Sequence, residues 1–272
     1  MLHALTIAFV YFAYLSGAAL ASRRFARARG PAFVATATTG GLVAIAVSTP
    51  GAEAPPGLVG GMVIPSLVLL VGYWVSGFFF VAPQPEWERR LLAGDDAWLV
   101  RTGILRRYHA GPRLVREYFE LAYLLVYVVV PAGAVVLLTN RHADALGAYW
   151  AAVLLAEFAC FATLPWIQTR SPRSIEAGGA VPAGTSAVRR LNLAIARHGS
   201  IQANTFPSGH AAGSVAVALA VGHAVPAAAP VFWALAASIT LATILGRYHY
   251  VADSILGVLV AVAAWGLVGI VG

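Results

Sequence analysis

Apolar runs of roughly twenty residues alternate with short polar, arginine-bearing stretches along the whole chain. The runs are Met1 to Ala21, Pro31 to Ser48, Leu58 to Ala82, Arg116 to Leu138, Ala145 to Leu164, Ala211 to Val225, Val231 to Gly246 and Val251 to Val271. A helix needs roughly 18–20 predominantly apolar residues to cross a bilayer, and these runs approach or exceed that length. The pattern predicts an all-α membrane bundle of about eight transmembrane helices. Residues 1–57 would supply two N-terminal helices, and 58–272 a six-helix core. The basic cluster Arg23, Arg24, Arg27 and Arg29 follows the first run and does not precede it, so that run reads as a retained span, not a signal peptide. Gly40-Gly41 would let the second span pack closely, and Thr49 to Pro56 reads as a turn.

Two polar stretches do not fit the spanning pattern. Residues 83–113 mix Glu86, Glu88, Asp95 and Asp96 with six arginines and with Trp87, Leu91, Leu92, Trp98 and Leu99. This reads as an amphipathic segment lying on the membrane surface, an anchor or a gate. Residues 165–204 form the longest polar connection, with Gly178-Gly179, Pro182 and Gly184 at its middle, and a connection of that length points to function. Its second half, Ser186 to His198, predicts a short amphipathic helix at the rim of a site.

Composition supports the membrane reading. Hydrophobic residues make up 60% and charged ones 11%, and mean hydropathy is +0.77, which excludes an ordinary soluble globular domain. Cys160, the single cysteine, lies in an apolar run and reads as packing. His3, His109, His142 and His223 fall in termini or turns and read as solvated, while His198 is near enough in sequence to reach a substrate. Glu157 is an acid inside a span, which marks either function or a hydrogen bond to a neighbouring helix. Glu120, Tyr123 and Tyr127 share a face that would look into the bundle.

The chemistry concentrates in two clusters. Thr205-Phe206-Pro207-Ser208-Gly209-His210 ends a polar segment and opens an apolar one, with Pro207 suited to the first helical position. The amides of that first turn would be available to an anion, with His210 at the mouth. Gly246-Arg247-Tyr248-His249-Tyr250-Val251-Ala252-Asp253 follows one apolar hairpin later, so both clusters lie at one membrane face. His249 and Asp253 are four apart, close enough for a carboxylate to hold one ring nitrogen and leave the other available.

Pro207-Ser208-Gly209-His210 and His249-x-x-x-Asp253 resemble the second and third motifs of the membrane-bound type 2 phosphatidic acid phosphatase superfamily, which includes inositol phosphorylceramide synthases and vanadium haloperoxidases. The resemblance spans roughly residues 114–270. It implies that His249 is the nucleophile forming a phosphohistidine, Asp253 its orienter and His210 the acid protonating the leaving oxygen. Ser208 and Gly209 would bind phosphoryl oxygens. Two positions depart from the family pattern. Where the third motif carries Arg six residues before its His, this chain has Thr243, and Arg247 is the candidate replacement from one helical turn along. The first motif needs a Lys and the chain has none. Arg173, then Arg170, in Gln168-Thr169-Arg170-Ser171-Pro172-Arg173 are the candidates to bind phosphate there.

The expected activity is thus a lipid-phosphate phosphatase or a head-group phosphotransferase. Its substrate would be a phosphorylated lipid or a polyprenyl (pyro)phosphate, with membrane lipids around it, and no nucleic acid and no cofactor are expected. The ligand types of His210, His249 and Asp253 also suit zinc, but no Cys or HxxxH pairing accompanies them, and the resemblance implies a metal-free mechanism. Halide oxidation shares the site layout and fits an integral membrane chain poorly. A lipid head-group-binding transporter or flippase would share the arginine-rich loops, but binding alone requires no acid and oriented nucleophile. Seventeen of the 18 basic residues, all but Arg141, fall on the site's side of the predicted spans. The positive-inside rule then places the catalytic face in the cytoplasm, in a bacterial plasma membrane.

Overall fold

A computed structural model describes residues 2–48, 59–176 and 186–271, the side chain of Val271 excepted. The predicted turn at Thr49 to Pro56 and the Gly178-Gly179, Pro182 and Gly184 positions lie outside the described residues. The architecture is all-α; among the described residues the only β contact is an isolated bridge between Thr169 and Asn204.

Helices α1 (Leu2–Ala21) and α2 (Ala26–Ser48) pack together, and α1 also lies against α3 (Ile64–Gly77) and α8 (Leu146–Phe161). Between α3 and α8 come α4 (Pro85–Asp95), α5 (Ile104–Ala110), α6 (Arg113–Leu124) and α7 (Val126–Thr139). After the short α9 (Pro172–Glu176) and the amphipathic α10 (Ala187–His198) follow α11 (Gly209–Ala224), α12 (Ala229–Leu245) and α13 (Val251–Val271). Helix α10 forms where the alternating pattern predicts it, and the Ser186 hydroxyl caps it by accepting from the Arg189 amide.

Among the described residues, six helices are long and apolar enough to cross a membrane, and the bent pair α6–α7 adds a seventh if it is one span. The bend between α6 and α7 is 60°. It falls at Leu125, and Pro131 beyond it leaves the Tyr127 carbonyl without its ladder donor. The remaining predicted span, α11, has 16 residues and is about 24 Å long. It can be short because it is the buried centre of the bundle: α7, α8, α12 and α13 all pack on it, and Ala212, Ala216, Val217 and Val221 are fully buried.

The segment 83–113 is more than a surface anchor. Glu88, Leu91, Asp95 and Leu99 form one buried stripe, while Trp98 and Ile104 face outward. Two carboxylates thus sit on the inward face of an amphipathic stretch, and both hold arginines of the motif-bearing loops. Helix α4 packs on α13.

Candidate active site

Local structure around Ser208 sets the first half of the site. Pro207 does not open α11, as the sequence leads one to expect; it precedes the helix by two residues, after a cis peptide bond. Ser208 takes the N-cap, a position serine favours because its hydroxyl can accept a first-turn amide, here that of Ala211. Thr205 accepts the Gly209 amide at 3.2 Å. The first-turn amides are therefore largely engaged within the protein and not left for an anion. Ser208 is fully buried behind the site, whereas Gly209 and His210 line a cavity of about 350 Å³.

The second half lies in the turn between α12 and α13. His249 precedes α13 by two residues instead of standing on it, yet it meets its partner: His249 Nδ1 is 3.1 Å from Asp253 Oδ2. The Thr243 carbonyl fixes this turn by accepting the amides of both Tyr248 and His249. Asp253 is fully buried and accepts a second bond, 2.7 Å from Asn204 Nδ2. Its own carbonyl accepts the Ser208 amide at 2.9 Å, tying the two motifs together through the backbone. The His210 and His249 rings lie 5.2 Å apart, and His210 Nε2 is buried without a partner.

Helix α9 brings the phosphate-binding candidates into view. Arg173 lines the cavity, its Nε buried and unpartnered, with its guanidinium 4.7 Å above the Tyr248 ring. Tyr248 stacks on Tyr123 at 3.7 Å, and Tyr123 stacks on His210 at 5.0 Å. This aromatic column sets the distance between the guanidinium and the imidazole. Behind it, Glu120 accepts the Tyr248 hydroxyl at 2.5 Å and pairs with Arg189 and Asn192 of α10. Burial, with the Glu120 carboxylate beside it, pushes the Tyr248 phenol up from its ordinary range, so it remains a donor to Glu120.

Arg170 and Arg247 point elsewhere, and neither lines the cavity. Helix α12 ends at Leu245, and Arg247 adopts a left-handed φ of 59°, which turns its side chain off the expected helical face. Its guanidinium lies between Asp95 and Glu176. Arg170 is held by Glu88 through both Nε and Nη2, at 3.0 and 2.8 Å. Burial works against the Glu88 carboxylate, but the Arg170 hydrogen bonds win and keep its pKa below the ordinary value. The structure thus assembles His210, His249, Asp253, Gly209 and Arg173, and sets Arg170, Arg247 and Ser208 behind them. Asn204, Tyr123, Glu88 and Asp95 also shape the site. No local pattern in the sequence marks Asn204; Tyr123 is marked only as facing the bundle, and the two acids fall in the amphipathic segment that reads as an anchor or a gate on the membrane surface.

The cavity changes character along its length. Asn204, Ser171 and Ser174 surround the arginine end, while Leu69, Leu70, Val130 and Pro131 line the other.

The sequence profile of the PAP2 superfamily matches residues 86–267 of the 272. The chain belongs to that superfamily, whose membership supports a phosphatase-type function on lipid phosphates in general. No curated protein and no solved structure matches the chain.

Proposed function

We propose that the chain is an integral membrane lipid-phosphate phosphatase or phosphotransferase acting through a phosphohistidine at His249. The observation that carries this reading is the buried His249–Asp253 pair opening onto a cavity that also holds His210 and Arg173. Asp253 accepts from Nδ1 and directs the Nε2 lone pair at phosphorus. As the Nε2–P bond forms, the bond from phosphorus to the ester or anhydride oxygen breaks, and His210 gives that oxygen a proton. Water, or an acceptor hydroxyl, then attacks phosphorus, passes its proton to His210 and releases the Nε2–P bond. Arg173, which lines the same cavity, would neutralise the equatorial oxygens, the main source of catalysis in phosphoryl transfer. The substrate on this reading is a phosphorylated lipid or a polyprenyl (pyro)phosphate, taken from the cytoplasmic leaflet.

Detergent-purified protein should release phosphate from members of a lipid-phosphate panel. His249→Ala should abolish turnover by about 10³-fold or more while the protein still folds. Wild-type activity in that variant would overturn the mechanism.

A further inference from the structure

The cavity contains a carboxyl that the proposed chemistry does not use. Glu157 of α8 is only 7% exposed and lines the cavity wall. No hydrogen bond or ion pair joins it to any described residue. Of the two readings the sequence leaves open for this acid, the hydrogen bond to a neighbouring helix is not made among the described residues. Instead, α11 leaves space for the carboxyl. A Cβ at Gly209 would stand 2.6 Å from Oε2, and one at Gly213 would stand 2.0 Å from Oε1. Two glycines four apart on one helical face therefore clear a notch that the carboxyl fills. An unpartnered acid within a membrane span is costly to keep, and the cavity that Glu157 lines offers a partner a way to reach it.

Position narrows what that partner is. Gly209 opens α11 beside His210, and Gly213 lies about 6 Å further in. On the lipid-phosphate reading, a substrate with its phosphorus at His249 and its chains toward Leu70 and Val130, which line the same cavity, would bring its first carbons level with Glu157. A carboxyl there accepts a hydrogen bond from a hydroxyl or amino group. An ester at the same carbon offers no donor.

We propose that Glu157 is a specificity-determining residue that recognises a hydrogen-bond donor, hydroxyl or amino, on the carbon next to the phosphorylated one. The proposal rests on the lipid-phosphate reading above and adds the kind of lipid.

The test compares kcat/KM of the purified full chain on three substrates. One is a monoacylglycerol 3-phosphate with a hydroxyl at the neighbouring carbon, the second a diacylglycerol 3-phosphate with that oxygen esterified, and the third a long-chain 2-amino alcohol phosphate. Wild type should favour the two donor-bearing lipids. Glu157→Met, which fills the notch with an apolar chain of similar length, should lower their kcat/KM by about tenfold or more and the diacyl value by less than about threefold. Glu157→Gln keeps an acceptor oxygen and should rescue the hydroxyl lipid but not the ammonium lipid. If Glu157→Met does not fold, the near-isosteric Gln variant carries the same comparison on the amino lipid. Equal losses on all three substrates, or a wild type without donor preference, would remove this proposal and leave the phosphatase reading standing. Failure of the wild type to turn over any lipid phosphate would remove both.

Discussion

Asp253 illustrates how much of a candidate site residue's setting comes from distant sequence. Its spacing from His249 makes their contact legible in the chain, and the structure places the two at 3.1 Å. Its second hydrogen bond, from Asn204, joins positions 49 apart. Nothing in a local pattern marks that asparagine. A hydrogen bond to a charged group is worth about 1.5–3 kcal/mol, or roughly 10- to 100-fold in rate when it orients a catalytic group. Asn204→Ala should therefore lower kcat by about that factor with KM little changed, measured by steady-state phosphate release. The aim of Arg247 was equally hidden: a helix continued through it would face the cavity, and the left-handed φ that turns it away belongs to a residue type with no marked preference for that conformation.

At the scale of elements, α4 acts as a clamp on the motif-bearing loops. Its buried Asp95 accepts from Arg247 and, at 2.9 Å, from the Val251 amide that opens α13, while Glu88 holds Arg170. The amphipathic period of this segment is plain in the sequence, but which face its acids occupy depends on arginines some 80 to 150 positions away. Two kinds of ion pair can be compared within this one helix. Asp95→Ala leaves the 7%-exposed Arg247 side chain with Glu176 alone, and the expected cost is about 3 kcal/mol. Glu86→Ala removes only the exposed pairs to Arg89 and Arg90, and should cost less than about 1 kcal/mol. Unfolding in mixed micelles followed by tryptophan fluorescence would measure both. Asp95→Asn, which keeps an acceptor for the Val251 amide, should fall between them.

Across the whole molecule, hydrogen bonds collect the arginine-bearing segments at one end of the bundle. Arg24 donates to the Pro165 carbonyl, Gln84 to that of Gln168, and Arg170 and Arg247 reach α4. The order of spans, and hence this gathering, was legible from hydropathy alone. The 60° break in the fourth span was not, because it depends on what packs around it. The concentration of positive charge argues for a cytoplasmic site. Ser22→Cys in a Cys160→Ala background should then resist an impermeant thiol reagent in intact cells and label after permeabilisation. Labelling in intact cells would reverse the orientation.

The cavity's apolar end has a kinetic consequence. Leu70 and Tyr127, which line the cavity, are also exposed, and in a membrane-embedded bundle a route past them would open to lipid. A substrate arriving by that route is counted per unit of membrane, not per unit of water. Diluting it with inert lipid or detergent at constant bulk concentration should slow turnover in proportion to its falling mole fraction. The enzyme would then respond to the make-up of the leaflet in which it floats.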